Sequence, residues 1–394
     1  LIISDDQAWT DFGFMGHPVI ETPHLDRLAR QSMVFPHGYV PSSLCRPSLA
    51  SIITGLLPHQ HKITGNDPSP SQGPQDRARY LADREAMLQY IDQVPTLPRM
   101  LAEQGYVSFQ CGKWWEGNYR RGGFTHGMTH GDPKRGGRHG DEGLAIGRSG
   151  MEPIARFIES AGDRPFFIWY APFMPHAPHT PPERTLAKYQ DQTESIHVAR
   201  YYAMCEWFDA TCGELIDLVE RAGQSDNTVV LFVVDNGWIQ RPDSPRYAAR
   251  SKRSPYDGGI RTPIMVHWPG HVRPEIVERP VSSIDLAPTI LHACGLDTQA
   301  DKLPGANLPD TAAVLARGTI EGACFTHNAI DIRRPAKNLR YGWTIQWPWK
   351  RIMPNLDNLP DSRSELFHLG SDPYERHNLV DKMDWESDAL GRSR

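Results

Sequence analysis

"TVVLFVVDNG", Thr228 to Gly237, is a short apolar run that stops abruptly at an Asp-Asn pair. A run of this length between turn residues reads as a strand buried on both faces, the kind found in parallel sheets. Three other segments follow the same plan. "LIIS" leads into Asp5-Asp6, "GYVSFQCGK" ends at Lys113, and "PFFIWYAPF" precedes "MPHAPH" with His176. Helical patterns fill the gaps between them. "TPHLDRLARQ" is one, Ser48–Thr54 with Pro47 in its first turn and Gly55 as its stop is another, and a long helix is expected over Glu194 to Ala222. This alternation predicts an α/β fold: a large, mostly parallel sheet flanked by helices.

The texture changes after about residue 310, where Trp343, Trp347 and Trp349 fall in short strand-like pieces punctuated by proline. The expected organisation is a catalytic α/β domain over 1–315 and a small α+β C-terminal subdomain with an antiparallel sheet over 316–394. The segment Arg120 to Gly143 is rich in Gly, His and Arg and too polar for a core, so it reads as a long functional loop or a disordered one. Its His126, His130 and His139 are weak zinc candidates, because loop histidines seldom ligate.

The bulk numbers exclude several classes. With 394 residues, 39% hydrophobic and 23% charged, the chain is an ordinary globular one. A net charge of −5 without a long basic run argues against nucleic acid or an anionic membrane as partner. No stretch reaches the ~20 apolar residues of a membrane span. The chain opens inside an apolar run, Leu1-Ile2-Ile3, without Met, which reads as a truncated start. Six scattered cysteines form no disulfide framework, and Cys205 and Cys212 sit about 10 Å apart along one helix, too far to bridge.

Ligands of open α/β sheets sit beyond the carboxyl ends of the strands. Asp5, Asp6, Asp235 and Asn236 occupy such ends and are the oxygen donors a hard cation prefers, Ca²⁺ or Mg²⁺. Cys45 stands at the start of a helix, where anions are stabilised and a thiol pKa falls. Lys113, Lys252 and His176 add positive charge and proton transfer. The pattern is that of a metal-dependent hydrolase of anionic esters.

The chain resembles the type I sulfatases of the alkaline phosphatase superfamily nearly end to end. The likeness is carried by "SDDQ", "TPHLDRLA", "CRPSLASIITGLLPHQH", "GKWWEG", "MPHAPH", "VVDNG", "SKRSPYDGGIRTPIMVHWPG", "SSIDLAPTIL" and "ELFHLGSDPYERHNL". The resemblance implies an alkaline-phosphatase-like fold and a Cys45 oxidised to formylglycine by a formylglycine-generating enzyme. It also implies a divalent metal, usually calcium, on Asp5, Asp6, Asp235 and Asn236. Lys113 and Lys252 would neutralise the sulfate oxygens, and His176 would assist the leaving alcohol. An exported location follows from it: periplasmic, secreted or at the cell surface.

Two positions break the pattern: Leu49 replaces the arginine of the cysteine motif, and Trp115 replaces the histidine after the lysine motif. Arg46 and Glu116 are candidates to compensate, Glu116 as a base. For the substrate, Arg120, Arg121, Arg135 and Arg138, with Lys134, suit a polyanionic saccharide, and Trp347–Trp349 offers stacking surface. The expected function is hydrolysis of a sulfate ester carried on a sulfated carbohydrate. The alternatives are a phosphodiester or phosphonate-ester hydrolase using unmodified Cys45, and a non-catalytic binder of sulfated glycans.

Overall fold

The apolar runs become the centre of one large sheet in the computed structural model, which describes residues 1–69 and 74–382. Across the sheet the order is Val281–Ser282, Met33–Tyr39, Arg261–His267, Val230–Val234, Ile2–Ser4, Phe166–Ala171, Val107–Gly112 and His126–Gly127. Glu275–Ile276 pairs alongside Met33–Tyr39. Only Arg261–His267 runs antiparallel to its neighbours; the remaining pairs are parallel.

Successive side chains on a strand point to opposite faces, and here both faces are covered. Ile2 and Phe232 enter one apolar layer with Phe109, Tyr170 and Phe208. Ile3 and Val233 enter the other with Ile52, Ile53 and Trp169. The charged residues of the central strands accordingly fall just past their ends, at Asp5, Asp6, Lys113 and Asp235. Each large side chain so buried contributes on the order of 1.5–3 kcal/mol.

The helix that carries Cys45 runs from Cys45 to Thr54, with every residue buried. It begins three residues before the expected Ser48, because Leu44 is extended and its carbonyl already accepts from the Ser48 amide at 3.0 Å. Gly55 closes it at φ 69°, donating to the Ser51 carbonyl at 2.9 Å. The long helix spans Ile196–Arg221, capped by the Ser195 hydroxyl, which accepts from the Val198 amide at 3.3 Å.

Residues 120–143 form a built loop. Its Asp141 carboxylate accepts from the amides of His130 at 2.5 Å and Gly131 at 2.6 Å, and His126–Gly127 extends the sheet edge. The three loop histidines do not converge: His126 packs on Phe157, His130 on Tyr119 and His139 on Trp115. The zinc reading has no geometry behind it.

The C-terminal unit is a four-stranded antiparallel sheet, ordered Ile320–Phe325, Leu339–Gln346, Trp349–Pro354 and Glu365–His368. Its Ile320, Trp343, Ile345 and Phe367 join the apolar layer that holds Ile3 and Val233. The last part of the subdomain expected over 316–394 lies outside the described residues. Trp347 packs against His37 of the large sheet, and Trp349 packs against His368 of its own sheet, so both rings are engaged within the fold. No helix among the described residues is long and apolar enough to cross a membrane.

Candidate active site

Strand register brings the polar ends together. Ser4 pairs with Val234, so Asp5 and Asp235 follow side by side, and the Asp235 amide donates to the Ser4 carbonyl at 2.8 Å. Gly112 pairs with Ala171, and the Lys113 amide donates to the Ala171 carbonyl at 2.6 Å. Gly112 adopts φ 84°, and a Cβ there would stand 1.9 Å from the Ala171 oxygen. Only glycine allows that turn, which aims Lys113 at the site.

The side chains meet around Asp6. Lys252 Nζ lies 2.6 Å from both Asp6 oxygens, Asn236 Nδ2 donates to Oδ1 at 2.6 Å, and His176 Nε2 stands 3.3 Å from Oδ2. Cys45 Sγ is 4.0 Å from Asp6 Oδ1. Lys113 Nζ donates to Asp5 at 2.6 Å and lies 3.6 Å from Asp235. His176 Nδ1 donates to the Ala177 carbonyl at 2.5 Å, which leaves Nε2 facing the pocket. The structure thus gathers Cys45, Lys113, His176, Lys252, Asp5, Asp6, Asp235 and Asn236 in one place.

Whether these residues suit a cation can be tested on their unused atoms. Asp5 Oδ2, Asp235 Oδ2 and Asn236 Oδ1 are buried without a hydrogen-bond partner. Oxygen atoms left in this way are costly unless something positive meets them. Ligand atoms of Asp5, Asp6, Cys45 and His176 also lie within 4.8 Å of one another. The donor set is mostly oxygen and fits a hard divalent ion.

Charge sets the protonation states. Burial alone would raise Asp6, but Lys252, His176 and Lys113 overcome it and hold the carboxyl well below the usual range. Burial raises Asp5 and Asp235, against the pull of Lys113. It would lower Lys113, yet Asp5 keeps the ammonium charged. Burial drives His176 towards the neutral imidazole, opposed by Asp6. Contrary to the helix-start expectation, burial pushes the Cys45 thiol up to about 12, because desolvation together with Asp235 and Asp6 outweighs Lys113 and Lys252.

The two departures from the motifs have distinct surroundings. Leu49 packs in the apolar layer beneath the helix. Trp115 is buried 5.2 Å from the His139 ring, with the Arg138 guanidinium 4.6 Å above it. His139 also faces Phe173, which stacks on His176 at 4.2 Å and lies under Lys113. Glu116 is not placed to act as a base: Arg46 donates to its two oxygens at 2.7 and 2.6 Å, so each compensates the other.

The loop arginines divide. Arg121 is paired with Glu85 and Asp92, and Arg135 with Glu142, so neither presents free charge. Arg120 is exposed over Tyr119. Arg138 is held to Asp67 at 2.8 Å and lies over Trp115, next in sequence but one to Lys113. Sequence reading missed Arg148, which donates to the carbonyls of Phe173 and His176 and so fixes the segment bearing His176. An arginine 25 residues before its partner in the chain gives no local signal.

A protein-family model described as Sulfatase matches residues 1–296. The chain belongs to the sulfatase family, which makes it a sulfuric ester hydrolase. It is 28% identical to human N-acetylgalactosamine-6-sulfatase, over 100% of this chain and 83% of that one. It is 27% identical to bovine arylsulfatase A, over 98% of this chain and 83% of that one. Among solved structures, Ps i-CgsB in complex with k-i-k-neocarrahexaose superposes with a TM-score of 0.74 at 22% identity, covering 99% of this chain and 89% of that chain.

Proposed function

We propose that the chain hydrolyses a sulfate ester on an anionic carbohydrate, with the reacting sulfate held between Cys45, Lys113 and Lys252. One observation carries this: charged groups from separate segments converge on the corner beside Cys45, with three oxygen atoms buried there without a hydrogen-bond partner. A relative named for a sulfated amino sugar supports the carbohydrate class.

A formylglycine made from Cys45 by its maturation enzyme would supply a hydrated aldehyde as nucleophile, and a divalent cation, calcium before magnesium, would supply charge. Asp5, Asp6, Asp235 and Asn236 would hold that cation. Lys113 and Lys252 neutralise the sulfate oxygens, and being buried they do so at low effective dielectric. His176, its Nδ1 proton held by the Ala177 carbonyl, presents Nε2 to the ester oxygen and assists the departing alcohol once Nε2 has itself taken up a proton, which Asp6 favours and burial opposes. Phe173 stacks on His176, and Trp115 lies buried against His139.

Turnover of an aryl sulfate beside an aryl phosphodiester tests the reading, together with the mass of the tryptic peptide Gln31 to Lys62 from the native host. The expected result is an aldehyde at Cys45 and preference for sulfate. An intact thiol with phosphodiester preference would replace it with the phosphoesterase reading. Glycan binding without turnover of either ester would leave a binder. Export to the periplasm, medium or cell surface follows from the family resemblance, and fractionation of the host checks it.

A further inference from the structure

The positive charges near Cys45 are unequal in how they are answered. Arg46 is matched by Glu116. Arg84 and Arg138 share the single carboxylate of Asp67, at 3.3 Å and 2.8 Å, leaving a net positive charge. Arg253 has no acidic partner among the described residues. Its one side-chain contact there is a long 3.4 Å bond from Nη1 to the Tyr247 hydroxyl, and its Nε is buried without a partner. A buried guanidinium N–H without an acceptor is costly, and such forks match carboxylates and sulfates.

Backbone ties place these groups beside the nucleophile. The Arg253 amide donates to the Ser43 carbonyl at 2.9 Å, two residues before Cys45. On the other side, Asn66 Oδ1 accepts from the Arg46 amide at 3.1 Å, directly after Cys45. His327 stands on Asn66: its carbonyl accepts from the Asn66 amide at 2.9 Å, and its Nε2 lies 3.5 Å from Asn66 Nδ2. Asp67, the anchor of Arg138, pairs with Asn328 in a short parallel bridge between strands. Burial, followed by Arg253, Arg138 and Lys252, lowers the His327 pKa, with only Asp67 opposing. Arg253, Arg138 and Lys252 therefore all lie near enough to act on that ring.

We propose that Arg253, Arg138 and His327 form a second anion subsite beside Cys45. It takes an oxyanion of the saccharide, a uronate carboxylate or a second sulfate, distinct from the sulfate under attack. This rests on the carbohydrate sulfatase reading above and assigns to Arg253 the choice between singly and doubly charged substrates.

The test compares three disaccharides sulfated at one shared position: one neutral elsewhere, one with a uronic acid neighbour and one with a second sulfate. The readout is the ratio of kcat/KM for each doubly charged sugar over the neutral one. The unmodified protein should prefer at least one doubly charged sugar. In Arg253→Asn that ratio should fall tenfold or more, and Arg253→Lys should keep part of it. Asparagine tolerates the left-handed φ of 68° at this position, so folding is not at stake. The sugar whose ratio falls tells carboxylate from sulfate. A ratio within twofold of the unmodified protein for both sugars overturns the subsite, as does the absence of any preference. Calorimetry of the same sugars with Cys45→Ala and with Cys45→Ala carrying Arg253→Asn makes the result independent of turnover. If no sulfate ester is hydrolysed, the proposed function fails, and the affinity ratio still decides the subsite.

Discussion

Two buried clusters of opposite charges lie in this molecule, and they are built differently. Where the C-terminal sheet meets the main domain, Lys350 Nζ lies 2.8 Å from Asp257 and 2.6 Å from Glu375, and Arg261 stands 3.7 Å from Asp257. The Tyr39 hydroxyl and the Asp257 amide supply further bonds at 3.1 and 2.7 Å. Two cations face two carboxylates there. At Cys45, Lys113 and Lys252 face Asp5, Asp6 and Asp235, while burial drives His176 towards neutrality. The first cluster is closed on itself. The second has a surplus of negative charge and oxygen atoms without a hydrogen-bond partner, the imbalance that the proposed cation would answer. Charge balance, rather than burial, separates the fastening from the site.

The same substitution in each cluster breaks the comparison most sharply. Lys350→Met leaves Asp257 and Glu375 buried without their shared ammonium. It should destabilise the fold by about 3–5 kcal/mol, the usual effect of removing one partner of a buried pair, and urea denaturation measures it. A loss below about 1 kcal/mol would mean that the balanced cluster is not a fastening. Lys113→Met should lower kcat on an aryl sulfate by roughly 10²–10³-fold, as for the loss of one group that stabilises developing charge. Rates within threefold of the unmodified protein would remove Lys113 from the chemistry.

A cation sharpens the contrast. Added to chelator-treated protein at about 100 times its Kd, Ca²⁺ should stabilise the fold by about 2.7 kcal/mol. Asp235→Asn should forfeit most of that gain, and Asp257→Asn should keep it, because both Asp257 oxygens are already taken, by Lys350 and by Tyr39. Equal responses of the two variants would contradict the assignment of the ligands.

The gathering of Asp5, Lys113, His176 and Asp235 was legible because strand ends in a parallel sheet share one edge, and each end carried a polar residue. Which cations stay free was not legible. Arg121 meets Glu85 on another segment, and Glu116 meets Arg46 70 residues away in the chain. Those pairings are made by packing, so a row of loop arginines looked like a binding surface while Arg253 passed as part of a motif. The Cys45 thiol misled for a similar reason. A helix start lowers a thiol pKa in water, but this helix is buried throughout, and desolvation reverses the sign.

The smallest expected effect concerns the far end of the helix that carries Cys45. The His61 ring is fully buried, with Nε2 2.9 Å from the Ser51 hydroxyl and Nδ1 accepting from the Ile63 amide at 3.1 Å. Since Nδ1 accepts, the proton sits on Nε2 and is donated to Ser51. A second proton would have to enter at Nδ1 and break the Ile63 bond. Burial, with His59 and Arg46 adding to it, lowers the His61 pKa to about 3. The unfolded chain takes up that proton near pH 6.5, while the folded chain refuses it. The stabilising effect is therefore full above about 6.5 and is lost as the pH falls towards 3, amounting to about 2 kcal/mol between pH 6.5 and 5. His61→Gln should flatten the stability profile in that window, measured by urea denaturation at half-unit steps. An unchanged slope would mean that His61 is hydrated, and that the helix under Cys45 is held by its apolar face alone.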